Sequence, residues 1–130
     1  MRRIERSAIA IVAFGTALTV WSWSSEPDPP FSEFVVRVDT ESFVARITDP
    51  ATIVHFREAM AGVRSGFPAG PLRSGNGGFN SPWTWHLDPD EARLVEAAIE
   101  VCDGRPSYVE THQSDFPTYC PWASRIVAER

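Results

Sequence analysis

Between residues 34 and 48 the chain alternates with a period of two. Phe34, Val36 and Val38 stand against Val35, Arg37 and Asp39, and Phe43, Ala45 and Ile47 against Val44, Arg46 and Thr48. That alternation predicts two half-buried strands, and the polar "DTES" between them makes the pair a hairpin. The period then lengthens. In "TDPATIVHFREAMAG" Asp49 is placed to cap a helix, Pro50 suits its first position and Gly62 ends it. Ile53, Phe56, Met60 and Val63 recur at helical spacing, which predicts a helix over 50–61 that lays this stripe on the hairpin.

The pattern is lost over residues 64–82, where Gly66, Gly70, Gly75, Gly77 and Gly78 are interleaved with Pro68, Pro71 and Pro82. No long helix or central strand tolerates that composition, so the segment reads as a loop with at most a short strand around Leu72. Alternation returns in "WTWHLDPD", with Trp83, Trp85 and Leu87 on a core face and Thr84, His86 and Asp88 on the other. "DPDEA" then reads as a turn. The following "RLVEAAIEVC" fits helical or strand spacing, and we take it as a strand; a last strand is expected near 124–128. The fold class is therefore α+β: a mostly antiparallel sheet of about five strands, one main helix and one short helix.

The N-terminus has a different character. "MRRIER" is basic, and no charge occurs from Ser7 to Trp23. This is the layout of an export signal, with Ser22 and Ser24 placed for cleavage before Ser25; the alternative is an uncleaved anchor, for which the apolar run is short. The organisation is then a signal peptide or anchor over 1–24, a Pro-rich stub over 25–33 and one domain over 34–130. The formal charge of −5 over 130 residues becomes −7 once three Arg and one Glu leave with the signal. No cluster of Arg remains to face phosphates, which excludes a nucleic-acid binder. Membrane contact is expected only through an uncleaved N-terminal segment, and the location is secreted or cell-envelope associated.

Export decides how Cys102 and Cys120 are read, since they are the only cysteines and an oxidising compartment favours a disulfide. The bridge would close a loop of about 17 residues and stabilise the domain by about 3 kcal/mol.

"WTWHLDP", "EVCDGRPSYVE" and "CPWASRIV", in this order, resemble a family of small exported domains of unassigned activity in which W-x-[WF]-H-L-D-P, E-V-C-D and C-P-W-[SG]-S-R recur. The resemblance covers about residues 34–128. It implies that "EVCD" ends a strand and that "PSYVETH" is a short helix beginning at Pro106, and it implies export. Ala123 and a shorter loop before Cys120 depart from the family pattern. No activity comes with the resemblance.

The remaining chemistry is sparse. His86 and Asp88 share one strand face, and Glu96 and Glu100 would share a face of the next strand; with Asp103 they form the candidate ligand or metal site, since carboxylate oxygens suit hard divalent cations. Asp103 is equally placed to cap the short helix. No organic cofactor is expected, and a divalent cation is the only addition these residues suggest. The chain has no HExxH, G-x-S-x-G or EF-hand loop, and Ser107, Ser114 and Ser124 lack a nucleophile's turn. The function expected is an exported small binding or interaction domain for a protein or small ligand, with Phe79, Trp83, Tyr108, Tyr119 and Trp122 near its surface. The alternative is a small metal-dependent hydrolase using His86 and the nearby carboxylates.

Overall fold

The alternating segment folds as its pattern predicts in the computed structural model, which describes residues 30–98 and 100–130. The segment read as a signal, the first part of the stub and Ile99 lie outside the described residues. Strands β1 (Ser32–Val38) and β2 (Glu41–Ile47) pair antiparallel with Val36 opposite Phe43. Only Asp39 and Thr40 connect them. Asp39 takes a φ of 59°, a left-handed conformation that Asp tolerates better than most side chains. Since β1 begins at Ser32, the end of the stretch read as a stub belongs to the first strand.

Helix α1 (Pro50–Met60) is capped as expected, with the Thr52 N–H and hydroxyl donating to Asp49 Oδ2 at 3.0 and 2.7 Å. Its buried side carries Thr52 and Phe56, and the Phe56 ring lies 5.1 Å from that of Phe34. The stripe is shorter than its spacing predicts. Met60 is exposed and Val63 is 76% exposed, because the helix stops at Met60 and Gly62, at φ +83°, turns the chain before Val63 can face the core.

The largest departure from the sequence reading is the segment taken for a loop. Residues Phe67–Ser74 form β3, and three short strands pair antiparallel with it: β4 (Trp85–Leu87), β5 (Arg93–Val95) and β6 (Thr118–Tyr119). Each partner covers only two or three residues of β3, so each Pro removes one donor from a short ladder rather than interrupting a long one. The carbonyl of Pro71 still accepts the Asp88 N–H at 2.9 Å, and the next N–H, from Leu72, reaches the Pro117 carbonyl at 3.1 Å. The strand expected to run through "EVCD" ends at Val95, and Cys102 lies outside any strand. Helix α2 (Pro106–Thr111) follows, then β7 (Ser124–Glu129) pairs with the free side of β1. The fold is α+β with two antiparallel sheets, of three and four strands, in place of one sheet of five.

Both sheets contribute to one core. Phe43 packs against Trp85 at 5.4 Å and Tyr119 at 5.5 Å, and Phe34, Ile47, Phe56, Leu87 and Val109 are fully buried around them. A buried amide joins the sheets at the outer edge of β2: the Val44 N–H donates to Asn80 Oδ1 at 2.7 Å, and Asn80 Nδ2 donates to the Trp85 carbonyl at 2.8 Å. Beside it the Trp83 indole N–H takes the Ser42 carbonyl at 2.9 Å. Side chains thus occupy edge groups that would otherwise need another strand.

Helix α2 is too short to stand alone, and Asp103 does not cap it. Asp103 Oδ1 instead accepts the Trp122 N–H at 2.9 Å. The cap comes from β2, where Glu41 accepts the Ser107 N–H at 2.8 Å and the Ser107 hydroxyl at 2.7 Å; these two bonds hold the Glu41 carboxyl below its usual range. Glu41→Ala is expected to destabilise the domain by about 1 kcal/mol, with amide exchange rising first in α2. Exchange unchanged across 106–111 would contradict this role.

Candidate ligand groove

The residues expected to form a ligand or metal site are spread along β3. His86 lies opposite Arg73 and Val95 opposite Phe67, so β4 and β5 follow one another along β3 instead of lying side by side. Six residues of extended chain separate these positions, about 20 Å at roughly 3.3 Å per residue. Glu96 and Glu100 therefore lie beyond one end of β3, exposed, while His86 and Asp88 flank the other. His86 Nδ1 is 2.7 Å from the Gly75 carbonyl, which fixes its ring against Phe79. Asp88 accepts from Arg73 at 2.9 Å and from the Asp90 N–H at 2.9 Å; burial pushes its carboxyl up, but these partners more than offset that and hold it below the usual range. Among the described residues no three His, Cys, Asp or Glu side chains are grouped as a metal ion would require.

The aromatic residues expected near the surface also divide. Tyr119 is fully buried, its hydroxyl donates to the Gly104 carbonyl at 2.6 Å, and burial pushes its pKa well above the usual range. Phe79 is buried and Trp83 packs partly against the core. Only Tyr108 and Trp122, at 50% and 51% exposure, remain on the outside.

An apolar concavity lies elsewhere, where the start of β1, helix α1 and the end of β7 meet. It has a volume of about 740 Å³, within the usual range for ligand pockets. Phe31, Pro50, Ile53 and Val54 supply an apolar lining, and Val54 keeps 49% of its surface exposed there. Two sets of ion pairs frame it. Arg57 reaches Glu129 at 2.8 Å, and Glu33 takes Arg130 at 3.1 Å and Arg46 at 2.6 Å. The Arg46 guanidinium lies 4.1 Å from the centre of the Phe31 ring and 4.6 Å from that of Phe79, which holds Phe31 at the groove wall.

Burial pushes the Glu33 carboxyl up, but the hydrogen bonds and charges of Arg46 and Arg130 more than offset it, and the bond from Arg57 lowers that of Glu129. Groups whose folded pKa is depressed contribute stability at pH values above the unfolded pKa and lose it as the pH falls through the folded one. Stability should therefore be insensitive to these carboxylates near neutrality and should fall below about pH 4.5. Glu33→Gln should shallow that acid limb in urea titrations. An unchanged slope would contradict the role of the pair.

Sequence reasoning missed the groove because none of its apolar residues belongs to a periodic stripe except Ile53. Val54 sits off the helix's core face and Phe31 precedes the first strand. An apolar residue out of phase with its element was the available signal.

Comparison with curated proteins and with solved structures returns no significant match. Residues 28–130, which hold every described strand and helix, match the family model of the BP-74 N-terminal domain, and the chain belongs to that family.

Proposed function

We propose that this chain is an exported binding domain whose ligand inserts an apolar group into the groove between Phe31 and Val54. The observation that carries this reading is the groove itself, an apolar hollow of about 740 Å³ framed by side-chain ion pairs. The pairs anchor the walls across three elements, so the hollow is formed before a ligand arrives and little ordering cost opposes binding. Their polar atoms remain at the rim, where a ligand's backbone or hydroxyl groups meet them.

Export is part of the proposal. The disulfide between Cys102 and Cys120 is consistent with an extracellular location. The basic start and uncharged run to Trp23 supply the signal. N-terminal sequencing of the protein from culture medium or envelope fractions should find Ser25; Met1 there would overturn cleavage.

Titration of the 15N-labelled domain with N-acetyl-leucine amide and N-acetyl-phenylalanine amide tests the groove. Shifts confined to Phe31, Ile53, Val54, Arg57 and Glu129, and lost in Val54→Arg, are expected. Val54 is half exposed, so that variant keeps its fold. Shifts elsewhere, or none at millimolar probe, would overturn the reading.

A further inference from the structure

Two arginines on the solvent face of the three-stranded sheet are set apart by what they lack. Arg37 of β1 and Arg125 of β7 are exposed, and neither makes an ion pair or a side-chain hydrogen bond among the described residues. Every other arginine of the described residues donates to a carboxylate or a carbonyl, as Arg57 does to Glu129 and Arg93 to Ala92. The two exceptions are neighbours, because the antiparallel register sets Arg37 directly opposite Arg125. Opposed side chains of such a pair share a face, with Cβ atoms about 4.5–5.5 Å apart. On its other side Arg37 stands opposite Ser42 of β2, which is exposed and whose hydroxyl has no hydrogen-bond partner among the described residues. Ser42, Arg37 and Arg125 therefore form one row across β2, β1 and β7. Like charges opposite each other on a sheet are destabilising. Carboxylates are not scarce, with 17 Asp and Glu against 12 Arg in the chain. Those nearest Arg37 in sequence are committed elsewhere: Asp39 accepts from Arg105 at 3.5 Å, and Glu33 accepts from Arg46 at 2.6 Å and Arg130 at 3.1 Å.

We propose that this row binds a single tetrahedral oxyanion, the sulfate or phosphate group of a monoester. Each guanidinium presents a fork of donors matched to two oxygens of such a group, and the Ser42 hydroxyl adds a donor from the third strand. Neighbouring strands lie about 4.8 Å apart, so the row spans about 10 Å of sheet, within reach of two long side chains that converge on one anion. The anion also removes the repulsion between Arg37 and Arg125, so the cost of the empty pair adds to the affinity of the filled one. The next row toward the start of β1 is apolar, with Val35 in register with Val44 on one side and Ala128 on the other. The carbon group of the ester rests on that surface. Two arginines hold one anion and do not make the longer track that a nucleic-acid backbone needs. None of Ser42, Arg37 and Arg125 lines the groove, so the two sites stand or fall separately.

Titration of the intact 15N-labelled domain with phenyl phosphate and 4-nitrophenyl sulfate tests the site, with inorganic phosphate, sulfate and chloride run alongside at equal ionic strength. Saturable shifts of the Arg37 and Arg125 Nε–H resonances and of the Ser42 amide are expected, with an ester binding tighter than its free ion. Whichever ester binds tighter identifies the source of the group. Arg37→Gln and Arg125→Gln should each weaken binding about fivefold, and both sites are exposed, so the variants keep their fold. Arg64→Gln, which removes a guanidinium already paired with Glu58, should leave binding within about twofold. In low salt without added anion, Arg37→Gln should unfold at a higher temperature than the unaltered domain, because the opposed like charges are gone. Shifts that chloride reproduces, binding unchanged in both Gln variants, free ions that bind as tightly as the esters, or no shift with millimolar ester would each overturn the proposal. A lowered unfolding temperature in Arg37→Gln would overturn it too, since Arg37 would then have a stabilising partner within the fold.

Discussion

Asn80→Ala is expected to lower the unfolding free energy by about 3 kcal/mol, the largest effect we anticipate for a polar side chain of this fold. Asn80 is fully buried, and its amide is the described partner that links the Val44 N–H of β2 to the Trp85 carbonyl of β4. Removing it leaves two buried backbone groups without partners, each at about 1 to 3 kcal/mol, and opens a void beside the aromatic core. Asn80→Asp keeps an acceptor for Val44 but turns a carboxylate oxygen toward the Trp85 carbonyl and buries a charge, so it should not rescue stability. Urea unfolding measures the loss, and amide exchange at Val44 localises it. A loss below about 1 kcal/mol would mean that water or a shifted backbone replaces the amide, and that the sheets are joined by apolar packing alone.

Loss of the disulfide should have a comparable effect, about 2 to 5 kcal/mol, for a different reason. Cys102 and Cys120 are both buried, with Cα atoms 5.2 Å apart, and the Cys120 N–H donates to the Cys102 carbonyl at 2.8 Å beside the bridge. Cys102 belongs to the irregular segment after β5, and Cys120 directly follows β6. The bridge therefore encloses α2 and the turn after it, pieces of six and three residues that have little stability of their own. Cys102→Ser and Cys120→Ser should destabilise to a similar extent, and the double variant should be no worse than either, because each single change already opens the loop. Thiol titration of the unfolded, unreduced protein should find no free thiol. Two free thiols, or a double variant that loses twice as much as the singles, would contradict a single shared staple.

Which parts of this structure were legible beforehand follows from the range of the forces that set them. The hairpin, the start of α1, the helix at Pro106 and the last strand each have a signal within a few neighbouring residues. Period-two alternation brings Phe34 and Val36 to one face, and Asp49 followed by Pro50 starts a helix whatever it packs on. Cys102 and Cys120 are the only cysteines of the sequence, so each had one possible partner, and the bridge followed from their number once the N-terminus was read as an export signal.

Tertiary structure alone decided the rest. Pro68 and Pro71 argue locally against a strand, and β3 exists because three short partners from distant positions each supply the bonds that remain. Asp103 is the nearer candidate to cap α2, yet Glu41 does so from 66 residues away, and Asp103 is used on Trp122. His86 and Glu96 are close in sequence but are set end to end along β3, a separation that no spacing rule reveals. The groove is the extreme case. Phe31, Val54 and Glu129 share no element and no period, and they line one hollow only because β7 returns to the start of β1 and α1 crosses beside it. Local periodicity acts over a turn or a pleat, so the sequence by itself determined the elements it could write within that range; which edges and hollows those elements share depends on contacts between residues far apart in the chain, and only the folded arrangement sets them.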